Sequence, residues 1–143
     1  MSKSNATENA LLLLVFNATT WDLIAEDDTT SPAANLYVAL HTGDPGEAGT
    51  QATSECAYGS YARVAVARTA GGWTVTGGAV ENAALVQFPS CSSGSETATY
   101  ISVGTGSSGA TPILYSGALS ASLAISSGIQ PQFAAGALDI SED

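Results

Sequence analysis

From Asn35 onward the chain never sustains a helical period, because glycine, serine or proline cuts its short alternating runs every few residues. The run Asn35–His41 sets Leu36, Val38 and Leu40 on one side of an extended backbone and Tyr37, Ala39 and His41 on the other. Thr42-Gly-Asp-Pro-Gly46 then forces a turn, and a polar loop runs to Gly59. Residues 61–68 alternate again, with Ala62, Val64 and Val66 opposite Tyr61, Arg63 and Ala65, until Gly71-Gly72 breaks the pattern. Residues 73–76, 84–88, 98–103, 112–116, 122–126 and 138–141 bring the set to about eight short strands. No helical segment separates them, so βαβ units are excluded and an antiparallel β-sandwich, jelly-roll-like in its strand spacing, is the predicted fold.

One segment breaks this rule. Residues 5–26 carry Ala10-Leu-Leu-Leu-Leu14 and then Trp21, Leu23 and Ile24, which predicts an N-terminal α-helix, with a break near Asn17 and a stop at Glu26-Asp27-Asp28 and Ser31-Pro32. Asn5 as N-cap with Glu8 three residues on would satisfy free amides at its start. The expected organisation is one domain, in which a helical segment, 1–30, packs on a β-sandwich body, 31–143. Its predicted core includes Leu12, Val15, Phe16, Leu36, Val38, Leu40, Val64, Val66, Phe88, Ile101, Val103, Leu114, Leu123 and Ile125.

Charge narrows the function. Thirteen acidic residues face three basic ones, giving a net charge of −10. Lys3, Arg63 and Arg68 cannot build the cationic surface that phosphate backbones require, so nucleic acid is excluded as a partner and anionic membranes would repel the chain. No apolar run approaches the roughly 20 residues that span a bilayer. Charged residues make up only 11% of the chain, so its surface must be built of serine, threonine, glycine and asparagine, which suits burial against a partner.

Chemistry finds few handles. The one imidazole, His41, ends a predicted strand, where it is expected to bond its own turn, and no Ser lies in a nucleophile-elbow motif. Cys56 and Cys91 with a single histidine cannot form a zinc site, and reduced thiols are expected. The acids fall in loops and near the termini without a calcium-loop pattern, so a cation at Glu26-Asp27-Asp28 or Asp44 and a glycosidase pair are both weaker readings than a solvated surface. No catalytic residue, metal or cofactor is expected. Arg63 and Arg68 point to opposite faces of their strand, and each should meet a carboxylate, within the fold or on a neighbouring subunit.

The chain resembles small virion proteins encoded in the structural gene blocks of tailed bacteriophages and prophages. The likeness rests on Asn9-Ala-Leu-Leu-Leu-Leu-Val-Phe16, Leu36-Tyr-Val-Ala-Leu-His-Thr-Gly-Asp-Pro-Gly46, Ser60-Tyr-Ala-Arg-Val-Ala-Val-Ala-Arg68, Gly72-Trp73, Phe88-Pro89, Ile113-Leu-Tyr-Ser-Gly-Ala-Leu119 and Phe133-Ala-Ala-Gly-Ala-Leu-Asp-Ile140. Such proteins are labelled head decoration, minor tail or tail fibre proteins, and the resemblance implies a non-enzymatic structural role with no site residue to carry over. It leads to the expectation of a capsid decoration or cement protein on the capsid exterior, assembled in the bacterial host cytoplasm and bound to the major capsid protein or other virion subunits. The alternative is a tail component, a fibre or minor tail protein; a hydrolase acting on wall sugars is the third. A homo-oligomer is expected. Its interface candidates are Leu11 and Leu14, on a helix apolar nearly all round, together with Arg63 and Arg68.

Overall fold

Ser4, not Asn5, opens the helix: its backbone is extended and its hydroxyl accepts from the Thr7 N–H at 3.3 Å. The computed structural model describes residues 4–21 and 33–141. Helix α1 runs Asn5–Asn17, with Glu8 in its first turn, where an acid complements the helix dipole. It ends at Asn17, where the sequence predicts a break. Ala18 turns left-handed at φ 52°, and the Thr19 N–H closes on the Leu13 carbonyl at 3.1 Å, so a backbone donor beyond the helix satisfies one of its last carbonyls. The expected stop at Glu26-Asp27-Asp28 and Ser31-Pro32 lies outside the described residues.

The described remainder is antiparallel β structure, so the class expected from sequence, mainly β with an N-terminal helix, is the class observed. Its strands are β1 (Asn35–His41), β2 (Val64–Ala67), β3 (Trp73–Thr76), β4 (Ala79–Asn82), β5 (Val86–Gln87), β6 (Ser95–Gly104), β7 (Ile113–Ser126), β8 (Gln132–Phe133) and β9 (Asp139–Ser141). They form sheets in the orders β2-β1-β6-β7, β3-β4-β9 and β5-β8. The chain divides into two compact units, one drawn from Met1–Asn35, Val66–Val86 and Phe133–Asp143, the other from Leu36–Ala65 and Gln87–Gln132.

In the first unit α1 packs on β3 and β4. Leu12 and Phe16, one turn apart, are fully buried, as is Trp73, whose ring stands edge-on to Phe16 at 4.9 Å. Gly77-Gly78 joins β3 to β4 with both φ angles positive, 60° and 82°, the two-residue turn whose twist matches a hairpin. Asn82 ends β4. Its side-chain amide donates to the carbonyls of Ala84 at 2.7 Å and Ala134 at 2.8 Å and accepts from the Leu138 N–H at 2.9 Å. These bonds replace ladder pairing there, so the strand expected over 84–88 shrinks to β5.

In the second unit β1 is a central strand, covered on both faces from Val38 to His41. It pairs with β6 from Tyr37 opposite Gly104 to His41 opposite Tyr100. The strand expected over 61–68 begins only at Val64, because the chain is still turning: Ser60 has φ 73° and the Tyr61 N–H bonds the Tyr58 carbonyl at 2.8 Å. The two strands expected over 112–116 and 122–126 are one, β7, which passes straight through Gly117, paired to Ile101. Leu114, expected in the core, is 38% exposed, since β7 is the sheet's edge. Val15, Val64, Val66, Ile101 and Leu123 are half-buried and the other predicted core residues are buried, joined by Trp73, Val80 and Val86, which the sequence reading did not place there.

Candidate functional site

The densest polar chemistry lies in the second unit, where β1, β6 and the loop after β1 converge. His41 is fully buried. One ring nitrogen, Nδ1, is 2.8 Å from the Thr53 carbonyl and the other, Nε2, is 2.7 Å from the Ser102 hydroxyl. Burial pushes the imidazole below its ordinary pKa of 6.5, against the opposing pull of the Thr53 carbonyl and Glu55. A neutral ring with a carbonyl at Nδ1 must carry its proton there, so Nε2 accepts from Ser102. A serine hydroxyl donating to an imidazole is the geometry of an activated nucleophile, but Ser102 is 1% exposed and His41 wholly enclosed. The pair fastens the loop at Thr53 to the neighbouring strand, so the histidine bonds a later loop residue and β6 and not its own turn as expected.

Beside it Arg63, 8% exposed, spends its whole fork. Its Nε donates to Glu55 Oε1 at 2.6 Å and Nη2 to Glu55 Oε2 at 2.7 Å, a bidentate pair. The remaining donors reach the carbonyls of Gly106 at 2.8 Å and Gly109 at 2.7 Å and the Thr111 hydroxyl at 2.9 Å. The Glu55 hydrogen bond raises the guanidinium's pKa against the cost of its desolvation. Tyr61 completes the carboxylate's shell, donating to Glu55 Oε1 at 3.1 Å while its oxygen accepts from the Leu40 N–H at 3.0 Å, and burial raises its pKa well above the usual phenol value. Gln51 ties the same loops: its amide nitrogen donates to the Tyr37 carbonyl at 2.8 Å and its oxygen accepts from Thr111 at 3.0 Å. A Cβ at Gly104 would lie 2.2 Å from Gln51 Cδ, so only glycine admits that amide. The exposed tip of the β6–β7 connection, residues 107–110, is thereby clamped from beneath by one arginine.

Arg68 does similar work in the first unit. Its Nε donates to the Val15 carbonyl and its Nη2 to the Leu14 carbonyl, both at 2.6 Å, in the last turn of α1. The helix has no basic residue of its own there, so a distant arginine supplies both donors and positive charge at its negative end. Leu11 and Leu14 lie on the flank of α1 turned away from Leu12 and Phe16, and both stay partly accessible.

A shallow groove of about 380 Å³ opens on the β3-β4-β9 sheet, lined by Thr74, Thr76, Ala79, Val80, Glu81 and Asp139. Glu81 and Asp139 stand directly opposite one another across β4 and β9, a like-charge pairing that weakens a ladder. Of the candidate cation ligands, Asp44 accepts from the Gly46 N–H at 2.8 Å and so serves its own turn, while Glu26, Asp27 and Asp28 lie outside the described residues. Among the described residues no three His, Cys, Asp or Glu side chains gather as a metal site. Cys56 and Cys91 are buried free thiols, and desolvation, aided by Glu96, pushes Cys56 up to about 12, where it stays protonated. No helix among the described residues is long and apolar enough to cross a membrane.

The buried ionic and imidazole groups hold loops and helix ends, which defines a structural β domain that presents surfaces. Comparison with protein families places that domain in a virus particle. The chain belongs to the family of the podophage GP4 fiber I protein gp80, whose model matches residues 2–141, a family of phage virion structural proteins. A search of curated proteins returns no match.

Proposed function

We propose that the chain is a non-enzymatic subunit of a phage fibre that works by contact with other virion subunits. The observation that carries this reading is the match of residues 2–141 to a fiber protein family. The geometry supports it, because the imidazole and the buried arginine are both consumed in bonding the fold to itself. Leu11 and Leu14 form the virion contact on the free flank of α1. Arg63 and Arg68 act one step behind such contacts, by holding the residue 105–111 loop and the helix end in place.

A second reading keeps a specific observation. Net charge −10 on a chain with no repeated shaft segment fits a decoration protein on the capsid exterior, bound to the major capsid protein and kept from fouling by nucleic acid. Immunogold labelling of purified particles, with a copy count from gel densitometry, separates the two. A handful of copies on the tail is the expected result. Many copies spread over the head would overturn the fibre reading in favour of decoration, and an unlabelled particle would overturn both. Cleavage of peptidoglycan or capsular polysaccharide by the purified protein, lost in Glu81→Ala or Asp139→Ala, would overturn the non-enzymatic part.

A further inference from the structure

We propose that His41 is a proton-operated latch: in mild acid it takes up a proton and lets go of loop 50–56, and through that loop the tip 105–111, while the sheet beneath stays folded. The latch operates in a fibre subunit and a head subunit alike, because every part of it lies within the second unit.

The chain's one imidazole is placed to hold two elements together. Its Nδ1 takes the Thr53 carbonyl and its Nε2 the Ser102 hydroxyl on β6, and no part of the residue reaches solvent. The cover is thin. Residues 52–54, which carry that carbonyl, are themselves exposed, and Ser54 is held at φ 52°, a left-handed conformation that a residue with a side chain seldom adopts unless its surroundings impose it.

Protonation undoes the arrangement at Nε2. The nitrogen that accepted from Ser102 becomes a donor, so the hydroxyl must turn and its own hydrogen loses its acceptor. Among the described residues the imidazole is the one hydrogen-bond partner of Ser102 Oγ. The new charge is also enclosed. Glu55, bridged to His41, favours it and Arg63 opposes it, and these two are spent on each other as a bidentate pair. Tyr61 stands on the same carboxylate, and β6 sets Tyr100 opposite His41. Asp44 is turned to the Gly46 N–H and Glu96 to the Ala57 N–H. From Thr97 through β7 no Asp, Glu, Lys or Arg occurs that could answer an imidazolium. The charge therefore reaches water by lifting Thr53 away.

What lifts with Thr53 is set by the bonds of the loop. The Thr42 N–H loses the Ser54 carbonyl and the Cys56 N–H the Leu40 carbonyl, both at 2.8 Å. Glu55 leaves Arg63, whose fork holds the Gly106 and Gly109 carbonyls and then lacks its counter-ion. Gln51 carries the displacement to Thr111, which it meets through its backbone N–H at 2.9 Å and its side-chain oxygen at 3.0 Å. A proton taken up at the end of β1 thus ends as lost order at an exposed tip.

Amide hydrogen exchange of the full chain from about pH 7.5 to about pH 5, corrected for the intrinsic pH dependence of exchange, reads the opening. An open loop returns His41 to its ordinary 6.5 and a closed one holds it lower, so opening takes up a proton and grows as pH falls, by at most about tenfold per pH unit. Protection at Gln51, Cys56 and Gly106 should fall at least about threefold over that range, while residues 98–102 of β6 keep theirs. His41→Gln, whose amide can still donate to Thr53 and accept from Ser102, should hold all of these amides level. Should that variant fail to fold, proton NMR of the wild-type imidazole supplies the comparison, since protection must fall over the pH range in which the ring takes up its proton. Level protection in the wild-type chain, an unchanged fall in His41→Gln, a fall outside the imidazole's titration, a loop that opens while the tip stays protected, or a loss shared equally by β6 would each overturn the proposal.

Discussion

The two units solve one problem with different means. Each must fix a chain segment whose backbone carbonyls would otherwise lack partners, and each spends one of the chain's two arginines on it. In the first unit Arg68 caps a helix whose inner face is apolar, packed by Leu12, Phe16 and Trp73. In the second, Arg63 is itself interior, and needs Glu55, which in turn needs Tyr61. An apolar contact that is removed leaves a void, while a buried ion that loses its partner leaves an unscreened charge. The second unit should therefore be the more brittle of the two.

Truncating Arg63 is the sharpest way to break that contrast. Arg63→Ala takes the counter-ion from the Glu55 carboxylate, whose side chain is 18% exposed in the native pair, and strips two loop carbonyls of their donors, and should cost about 3–5 kcal/mol in urea denaturation. Arg63→Lys should recover little, because an ammonium cannot reproduce the bidentate fork. Arg63→Met combined with Glu55→Gln should lie closer to wild type than Arg63→Ala does. A double variant worse than the single one would mean that the pair contributes net stability and that brittleness is misassigned.

In the first unit, Phe16→Ala should cost about 3 kcal/mol by opening a cavity beside Trp73. Trp73→Phe should cost less than half as much. The indole Nε1 is buried with no hydrogen-bond partner among the described residues, so its removal returns part of what the lost ring volume takes away. Equal losses in the two variants would show that the indole nitrogen carries no penalty.

The pH response belongs to the second unit. Folding holds the His41 imidazole below its ordinary 6.5, so the unfolded chain takes up the proton first. This contribution is intact above about pH 6.5 and is lost as pH falls toward the lowered folded value, at no more than about 1.4 kcal/mol per pH unit. Urea midpoints for wild type and His41→Gln at about pH 7.5 and 5 should converge toward the acid end, because glutamine has no proton to gain. Parallel curves would mean that the histidine titrates alike in both states.

How these regions could be read from sequence follows the same division. β1 was legible because a central strand shows its alternation directly, and α1 because its leucines are contiguous. The break near Asn17 was legible too, but not its geometry, since Ala18 adopts a left-handed turn that alanine composition does not announce. Gln51 and Glu55 sit in a loop without periodicity and reach Arg63 across tertiary space, so no local pattern marks them. The usable signal was scarcity: an arginine in so acidic a chain demanded a carboxylate, and Glu55 is the one Arg63 meets. Leu114 was misread for the converse reason, because alternation reports a strand's two sides and not whether its edge or face is covered.

The smallest effect on stability is expected on the free flank of α1. Leu11 and Leu14 are partly accessible and lie off the Leu12–Phe16 contact, so a glutamate at either position removes little buried area and can extend its carboxylate into water. Leu11→Glu and Leu14→Glu, made separately, should each shift the urea midpoint by less than about 1 kcal/mol in free energy while at least one weakens binding to purified particles that lack the protein. Particle co-sedimentation reads the second quantity without the first. If both variants bind as wild type does, the flank is ordinary helix surface and the virion contact lies elsewhere. If either instead unfolds the first unit, Leu11 or Leu14 belongs to its packing, and the apolar unit is as brittle as the polar one.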